Sequence, residues 1–325
     1  MLNPDSVSKA FSDAAADREK AIAISVERKE KVEAELPRLA EISGELSIIG
    51  SSIAKSFFAV DPKLEVEDLA KRSLALQNER KALLKSCGYT EDYLEPEFKC
   101  KKCSDTGRGK DGKICECIKK RAVEISLDGL SKLAPSKKCT FQSFNLDFYK
   151  DLKNKNGESV FEEAKMNYEY LKAYSEDFSL DSKSLYIFGK TGLGKTHLTL
   201  AAANEIIKKG YNVLYGMAGA IFSGVEEEKF KGIEGKYTMK KLIDADLLII
   251  DDLGSEFHTS FTSSVVHNVI ESRLLASKPV IITTNLDIRG INKEYGERIA
   301  SRIIGEYEPI RFEGEDIRQR KRFEY

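Results

Sequence analysis

The stretch GKTGLGKT, residues 189–196, decides how the C-terminal half of this chain folds. It fits GxxxxGK[ST] at every fixed position, directly after the apolar run LYIF (185–188) and before an apolar helical stretch, His197–Lys208. A strand, a glycine-rich loop and a helix in this order are the context in which this motif binds phosphate. The stretch therefore predicts a P-loop.

Each part of this loop has a predicted role toward a nucleotide. The three glycines permit sharp turns that point backbone N–H groups at phosphate oxygens, and the helix N-terminus adds its positive end. Lys195 is predicted to reach the outer phosphates of ATP, and the hydroxyl of Thr196 to ligate Mg²⁺. The predicted nucleotide-binding residues are Gly189, Lys190, Thr191, Gly192, Leu193, Gly194, Lys195, Thr196 and His197. A chance glycine-rich turn is the alternative, which the flanking strand and helix disfavour.

Four short apolar runs in this half predict the strands of a sheet. They are LYIFG (185–189), NVLYG (212–216), DLLIIDD (246–252) and VIITTN (280–285), separated by helical stretches. Buried strands that alternate with helices form a parallel sheet covered on both faces. The predicted fold class is therefore α/β.

Polar residues end the last two of these runs. Asp251 is predicted to hold Mg²⁺ together with Thr196, and Asp252 to orient or deprotonate the attacking water. Asn285 is predicted to hold that water or touch the γ-phosphate, with Thr284 as the alternative. A polar strand end without a catalytic role is the other interpretation of both segments.

Arginines in the last part of the chain are candidates for nucleotide sensing. The segment GERIASRI (296–303) places Arg298 and Arg302 on one face of a helix. One of them, with Arg302 favoured, is predicted to reach a neighbour's γ-phosphate as an arginine finger, which implies a homo-oligomer. Arg318 is a candidate second sensor that also binds the nucleotide. Surface arginines and a basic tail are the alternatives.

Four of the six cysteines predict a metal site. Cys100, Cys103, Cys115 and Cys117 form CxxC and CxC pairs separated by eleven residues. Four thiolates suit a tetrahedral structural Zn²⁺ with no open position for water. A redox dithiol and four unrelated thiols are the alternatives.

The N-terminal part is predicted to be a helical, partner-docking arm. Apolar residues recur at steps of three and four over 32–53, and Leu69, Leu76 and Leu83 follow at intervals of seven. This pattern predicts a helical hairpin or a short coiled coil. A docking arm is favoured over a solvated spacer, because two amphipathic helices need a surface to cover.

Composition limits the classes of function. The 325 residues include 52 Lys and Arg against 53 Asp and Glu, which excludes a wholly basic nucleic-acid coat and confines any DNA contact to a local surface. No apolar run reaches the roughly 18 residues of a membrane span, and the first residues lack the apolar core of a signal peptide. The expectation is a cytoplasmic protein without a membrane partner.

Taken together, the motifs resemble a known family. GKTGLGKTH, LLIIDDLGSE, VIITTNL and ERIASRI, in this order, resemble the AAA+ ATPases of the DnaC/DnaI helicase-loader group, whose clan includes the transposition helper IstB. An arm followed by KCKKCSDTGRGKDGKICECIKKR is similar to DnaC-like replication proteins of Gram-positive bacteria and their phages. The expected organisation is a helical arm (1–97), a four-cysteine zinc module (98–121), a linker (122–145) and an AAA+ ATPase domain (146–325).

The resemblance implies an ATP-dependent DNA replication protein. Such proteins bind the replicative DNA helicase through the N-terminal part and load it onto single-stranded DNA, with ATP binding and hydrolysis as the timing switch. The family's sensor asparagine falls on Asn285, its arginine finger on Arg302 and its second sensor on Arg318. The family's DNA-contacting insertion falls on about 218–236, which contains Phe222, Lys229, Phe230, Lys231 and Lys236 beside three opposing glutamates.

One residue departs from the AAA+ pattern. Many AAA+ enzymes carry Glu where this chain has Asp252, and the shorter side chain sets the carboxylate further back, which predicts an ATPase of slow turnover that Glu256 could assist. Two other functions stay open. One is an IstB-like transposition helper, which the cysteine pattern disfavours. The other is a nucleotide-gated helicase and DNA adaptor that barely hydrolyses ATP.

Overall fold

The structure, a computed structural model, describes residues 1–56, 62–154, 156–232, 235 and 237–317, with the side chains of 56 and 62–65 also left undescribed. The helices are α1 (Pro4–Glu35), α2 (Pro37–Ser56), α3 (Pro62–Ser86), α4 (Glu116–Leu133), α5 (Val160–Glu176), α6 (Lys195–Lys208), α7 (Ala218–Lys231), α8 (Met239–Asp244), α9 (Ser260–Leu275), α10 (Ile288–Tyr295) and α11 (Glu297–Glu306). The strands are β1 (Ser184–Gly189), β2 (Val213–Met217), β3 (Leu247–Leu253), β4 (Val280–Thr284) and β5 (Tyr307–Phe312).

The strands form one parallel sheet in the order β2-β3-β4-β1-β5, which confirms the predicted α/β class. The carboxyl ends of parallel strands meet at the same edge of the sheet. The loop after β1 therefore lies beside the ends of β3 and β4, where the predicted catalytic residues stand.

Alternate side chains of the strands face opposite sides of this sheet. On β3, Leu247 and Ile249 pack with α6 on one face, while Leu248 and Ile250 pack with α7 and α9 on the other. Both faces are therefore buried, which explains why the strands are continuous apolar runs.

The fifth strand was absent from the sequence-based prediction. Tyr307–Phe312 contains Pro309 and two charged residues, a composition that is unusual for a central strand. Among the described strands it pairs only with β1, at the edge of the sheet, where a missing N–H and exposed charges are tolerated.

The predicted hairpin is formed by α2 and α3. Their apolar residues meet in two small cores. In one, Leu39 and Leu84 pack together with Val32 of α1, and the other lies around Ile42, Ile49 and Leu76. Pro37 begins α2 rather than interrupting it, a position that proline tolerates because the first helical N–H has no partner.

The chain has two compact units. One contains Met1–Ala10 and Lys119–Tyr325, and the other contains Phe11–Ile118. The predicted boundaries after residues 97, 121 and 145 stay predictions. Within 122–145, expected to be a linker, the structure extends α4 to Leu133 and packs Leu130, Cys139 and Phe141 into the core of the sheet unit. Among the described residues, no helix is long and apolar enough to cross a membrane.

Candidate nucleotide-binding site

The loop between β1 and α6 has the backbone that its glycines permit. Gly192 and Gly194 have φ of 78° and 87°, in the left-handed region that glycine adopts without steric cost. A Cβ on Gly189 would collide with the carbonyl oxygen of Phe312, and one on Gly192 with the carboxylate of Asp316. Glycine is therefore required at both positions, and α6 begins directly after the loop, where a helix N-terminus favours a phosphate group.

Lys195 is buried at the start of α6, and its ammonium group faces the loop. Nζ donates to the carbonyl oxygens of Gly189 and Lys190, each at 2.6 Å, and to Oδ1 of Asn285 at 2.9 Å. An ammonium group at the mouth of a P-loop is complementary to the charge of a nucleotide's outer phosphates.

Asp251, at the end of β3, accepts hydrogen bonds from three hydroxyl groups. Thr196 Oγ1 lies 3.0 Å from Oδ1, Thr283 Oγ1 lies 2.5 Å from Oδ1, and Tyr215 OH lies 2.7 Å from Oδ2. Asp251 is 3% exposed. The Thr196 hydroxyl and the Asp251 carboxylate are oxygen ligands of the kind that Mg²⁺ prefers.

Asp252 follows directly, lines the same cavity and has a different partner. Its φ of 57° is left-handed, and the pairing of β3 with β4 shifts register between Ile250 and Leu253. Oδ1 accepts a hydrogen bond of 3.2 Å from Nδ2 of Asn285. Asn285 thus bridges Lys195 and Asp252.

Glu256, the suggested helper, is bound elsewhere. Its carboxylate accepts from the backbone N–H of Gly254 at 2.9 Å and from the hydroxyl of Tyr295. It is not among the described residues that line the cavity next to the P-loop. Thr284 is buried, and its hydroxyl donates to the carbonyl oxygen of Leu253 at 2.5 Å, so Asn285 is the polar group following β4 that faces the site.

The cavity has a volume of about 490 Å³ and a second wall that the sequence did not predict. This wall comes from residues 133–149, including Phe144 and Phe148, and from Ile317. Tyr149 OH donates to the carbonyl oxygen of Leu193 at 2.9 Å, and His197 Nε2 donates to that of Thr140 at 2.9 Å. The only sequence feature that could have indicated this wall is the number of aromatic residues in the segment.

Arg298 and Arg302 lie apart from this cavity. Arg302 on α11 pairs with Glu271 on α9, with Nε 2.6 Å from Oε1. Arg298 lies on the same helix, and neither arginine is among the described residues that line the cavity. Arg318 lies outside the described residues. Sequence spacing did not reveal Glu271, because the pairing is tertiary.

The four cysteines meet in the Phe11–Ile118 unit. Their Sγ atoms all lie within 4.8 Å of one another, with Cys100 to Cys115 at 3.8 Å and Cys103 to Cys117 at 3.5 Å. A tetrahedral Zn²⁺ with bonds of about 2.3 Å needs sulfur atoms about 3.8 Å apart. Backbone N–H groups, chiefly that of Cys103, lower the pKa of the Cys100 thiol to about 7, whereas burial raises the pKa of the Cys103 and Cys117 thiols.

The helix after β2 carries part of an aromatic patch, which we define as Lys229, Phe230 and Phe261. The two phenyl rings are 5.6 Å apart, Lys229 Nζ lies 5.6 and 5.4 Å from their centroids, and Phe230 is 67% exposed. Phe222, predicted within the DNA-contacting segment, is buried in the core because it faces the sheet. Lys236 lies outside the described residues.

A parallel sheet with a P-loop after β1 and the paired carboxylates at the end of β3 defines a P-loop ATP-binding protein of the AAA+ class. A family model, IstB-like ATP binding protein, matches residues 129–324, so the chain belongs to that family.

Two individual relatives share 28% and 25% identity with this chain. The Escherichia coli K12 replicative helicase loader DnaC is 28% identical over 131 residues, which are 40% of this chain and 54% of that protein. The match therefore spans about half the length of the loader. The uncharacterized E. coli K12 protein YdaV is 25% identical over 195 residues, 59% of this chain and 73% of that one.

Two solved structures are similar over about half of the chain. The crystal structure of the DnaC helicase loader has 21% identity and a TM-score of 0.46, and the match covers 55% of this chain and 99% of that one. The crystal structure of DnaI has 20% identity and a TM-score of 0.45, and the match covers 56% of this chain and 92% of that one.

Proposed function

We propose that this protein is an ATPase of DNA replication that binds the replicative DNA helicase and loads it onto single-stranded DNA. The observation that carries the proposal is the bridge from Lys195 through Asn285 to Asp252, beside Asp251 and Thr196, in an IstB-like chain related to DnaC loaders. The bridge supports a site built around a triphosphate, and the relatives suggest its use.

Different residues of the site bind the phosphates, Mg²⁺ and the base of the nucleotide. Backbone N–H groups of residues 189–196 and the Lys195 ammonium bind the phosphates, and Thr196 and Asp251 hold Mg²⁺. Mg²⁺, when bound, neutralises charge on the phosphate oxygens. The apolar wall with Phe144, Phe148 and Ile317 takes the base.

Hydrolysis is assigned to Asp252 and Asn285. The Asp252 carboxylate accepts a proton from the attacking water, and Asn285 holds that water in line through its amide. Asp252 is one methylene shorter than Glu, which supports slow turnover.

The arginine finger acts between copies in this proposal. Arg302 is half-exposed and paired with Glu271 at the surface, and a surface ion pair is readily exchanged for a stronger partner. The γ-phosphate of a neighbouring subunit is such a partner, because guanidinium groups bind phosphate bidentately. Arg318 is assigned to the second sensor by family position alone.

Single-stranded DNA is assigned to the aromatic patch. An exposed phenyl ring with a cation across it suits base stacking combined with phosphate contact. Glu227, which pairs with Lys231 at 3.3 Å, limits the positive charge of this surface. We therefore expect binding that depends on stacking more than on salt.

The helicase is assigned to the hairpin of α2 and α3. Ile48 and Leu74 are 69% and 60% exposed there, whereas the apolar residues of the hairpin core pack between its helices. Zn²⁺ held by the four cysteines gives the neighbouring segment its fold, because that segment has little apolar core of its own.

Loading of helicase onto a closed circular single strand tests the proposal. A ring helicase cannot thread onto circular DNA unless its ring is opened, so retention of helicase on the circle reports loading. We expect retention with the protein and ATP, and its loss with Lys195→Ala.

Each other outcome selects another function. Retention that needs the protein but is equal for Lys195→Ala and without ATP contradicts the timing role and favours the adaptor. No retention and no helicase binding contradicts the loader proposal and favours a transposition helper.

A further inference from the structure

Tyr215 belongs to the apolar run NVLYG, which predicted a strand but no role in the site, yet its hydroxyl contacts Asp251. It is on β2, it is 3% exposed, and its hydroxyl donates to Asp251 Oδ2 across 2.7 Å. A carboxylate can only accept a hydrogen bond, so the Tyr215 hydroxyl is the donor in this contact.

The Tyr215 hydrogen bond limits rotation of the Asp251 carboxylate. Thr283 and Thr196 approach Oδ1, whereas Tyr215 provides the shortest contact to Oδ2. With a donor on each oxygen, the plane of the carboxylate is set before a cation arrives. Pre-orientation of this kind lowers the cost of ordering a ligand on binding.

Tyr237 connects Tyr215 to α7, the helix that carries most of the aromatic patch. Its hydroxyl donates to the carbonyl oxygen of Tyr215 at 2.9 Å. Its side chain lies against Gly216 and Gly224, where a Cβ would come within 2.8 and 2.9 Å of Tyr237 atoms. Both glycines are required for this approach, so Tyr237 packs on the end of β2 and on α7 at once.

A second contact fixes α7 near the patch. Glu228 accepts a hydrogen bond of 2.9 Å from the backbone N–H of Met239, one residue before the patch begins at Lys229. A displacement of α7 is therefore passed to Tyr237 and to the residues beside it. The buried chain from α7 through Tyr237 and Tyr215 ends at Asp251.

We propose that Tyr215 is a positioning residue that orients Asp251 for Mg²⁺, and that Tyr237 couples it to α7, so that single-stranded DNA on the aromatic patch changes the Mg²⁺ affinity of the nucleotide site. The coupling part rests on the proposed function, because it takes the patch as the DNA site.

Mg²⁺ titration of the full-length protein with a fluorescent ATP analogue tests both parts without turnover. We expect Tyr215→Phe to raise the half-saturating Mg²⁺ concentration roughly tenfold, because the variant loses about one hydrogen bond to a charged group. Its affinity for the ATP analogue in EDTA, without free Mg²⁺, should be unchanged. Tyr237→Phe is expected to match wild type without DNA and to lose the shift that an oligo-dT strand causes in wild type.

Tyr174→Phe is the matched control. Tyr174 lies on α5, and its hydroxyl donates to the carbonyl oxygen of Lys183 at 2.9 Å rather than to Asp251. This variant should titrate as wild type does. A Tyr215→Phe titration equal to that of Tyr174→Phe overturns the positioning role, and a Tyr237→Phe protein that keeps the DNA-induced shift overturns the coupling.

Binding of the oligo-dT strand, measured separately by anisotropy, distinguishes the two possible failures. If the strand binds wild type but leaves its Mg²⁺ titration unchanged, the coupling is wrong and the DNA site stands. If the strand does not bind, the DNA part of the proposed function fails, and the coupling falls with it.

Discussion

Asp252 shows how backbone conformation separates two adjacent carboxylates. In a regular strand, neighbouring side chains point to opposite faces, and Asp252 would then leave the site. Its left-handed φ of 57° and the register shift beside it instead bring Oδ1 to Asn285. Asp251 accepts hydrogen bonds from hydroxyl groups such as that of Thr196, whereas Asp252 accepts one from the side-chain amide of Asn285, which also binds Lys195.

We expect Asp252→Asn to separate binding from hydrolysis. Loss of a general base lowers turnover by about 100-fold or more, while ATP affinity changes little because the Lys195 and Asp251 contacts remain. Single-turnover hydrolysis and analogue binding measure the two quantities. Asp181→Asn, at an exposed residue, is the control. Equal losses of affinity and turnover would mean that Asp252 serves binding instead.

The Arg302 assignment predicts complementation between variants. Arg302→Ala should hydrolyse ATP slowly because its neighbour lacks a finger, and Lys195→Ala because it binds no nucleotide. A mixture of the two should recover activity at interfaces that pair an intact P-loop with an intact Arg302. Activity that simply averages the two variants at every mixing ratio contradicts a finger acting in trans.

Among single residues, the sequence predicted those that belong to a motif. Lys195, Thr196, Asp251 and Asn285 converge as their positions after three strands imply. Tyr215 and Glu271 were not predicted, because each meets its partner across the tertiary structure and no local spacing marks the contact.

At the scale of elements, the cysteine segment depends on its metal. We expect about one Zn²⁺ per chain by mass spectrometry of metals, and its loss in Cys103→Ser together with increased proteolysis of residues 98–121. Nucleotide binding should survive. Cys87→Ser, at an exposed cysteine outside the cluster, is the control. A Cys103→Ser protein with full Zn²⁺ content would contradict the assignment.

Helix α8 and the turn after it depend on Arg273. This fully buried guanidinium on α9 donates to five carbonyl oxygens, of Leu242, Ile243, Ala245, Asp246 and Pro279, and burial lowers its pKa to about 10. Arg273→Met leaves these acceptors without their donor, so we expect a loss of about 3 kcal/mol in the free energy of unfolding.

Urea denaturation of Arg273→Met and of the exposed control Arg289→Met measures this loss. The control should change stability by about 0.5 kcal/mol or less. A comparable, small effect at Arg273 would show that water satisfies the five carbonyl groups in its place.

Element prediction succeeded where an apolar period was long and failed where polar residues interrupted it. The hairpin and four strands follow from their spacing, and their residues pack as that spacing requires. β5 contains Pro309 and depends on pairing with β1, which no local pattern reveals. Residues 122–145 were expected to be a linker. Cys139 and Phe141 of this segment pack in the core, and part of the segment lines the nucleotide cavity, through tertiary contacts that no local pattern reveals.

At the scale of the whole molecule, near-neutral charge confines recognition to local surfaces. The proposal assigns a different partner to each of three surfaces: helicase to the hairpin, DNA to the aromatic patch and a second copy to the face with Arg302. The hairpin exposes Ile48 and Leu74, and the aromatic patch exposes Phe230. On the third surface, Arg302 is half-exposed and paired with Glu271.

The most direct test of the loader proposal is the mass of the complex with the replicative helicase, measured by native mass spectrometry with and without ATP. We expect a defined complex that the double substitution Ile48→Ser and Leu74→Ser weakens roughly tenfold or more, the loss of two buried aliphatic contacts. The matched pair Met166→Ser and Leu275→Ser, at residues 61% and 86% exposed in the other unit, should leave it intact. A wild-type protein that forms no complex in either nucleotide state contradicts the proposal.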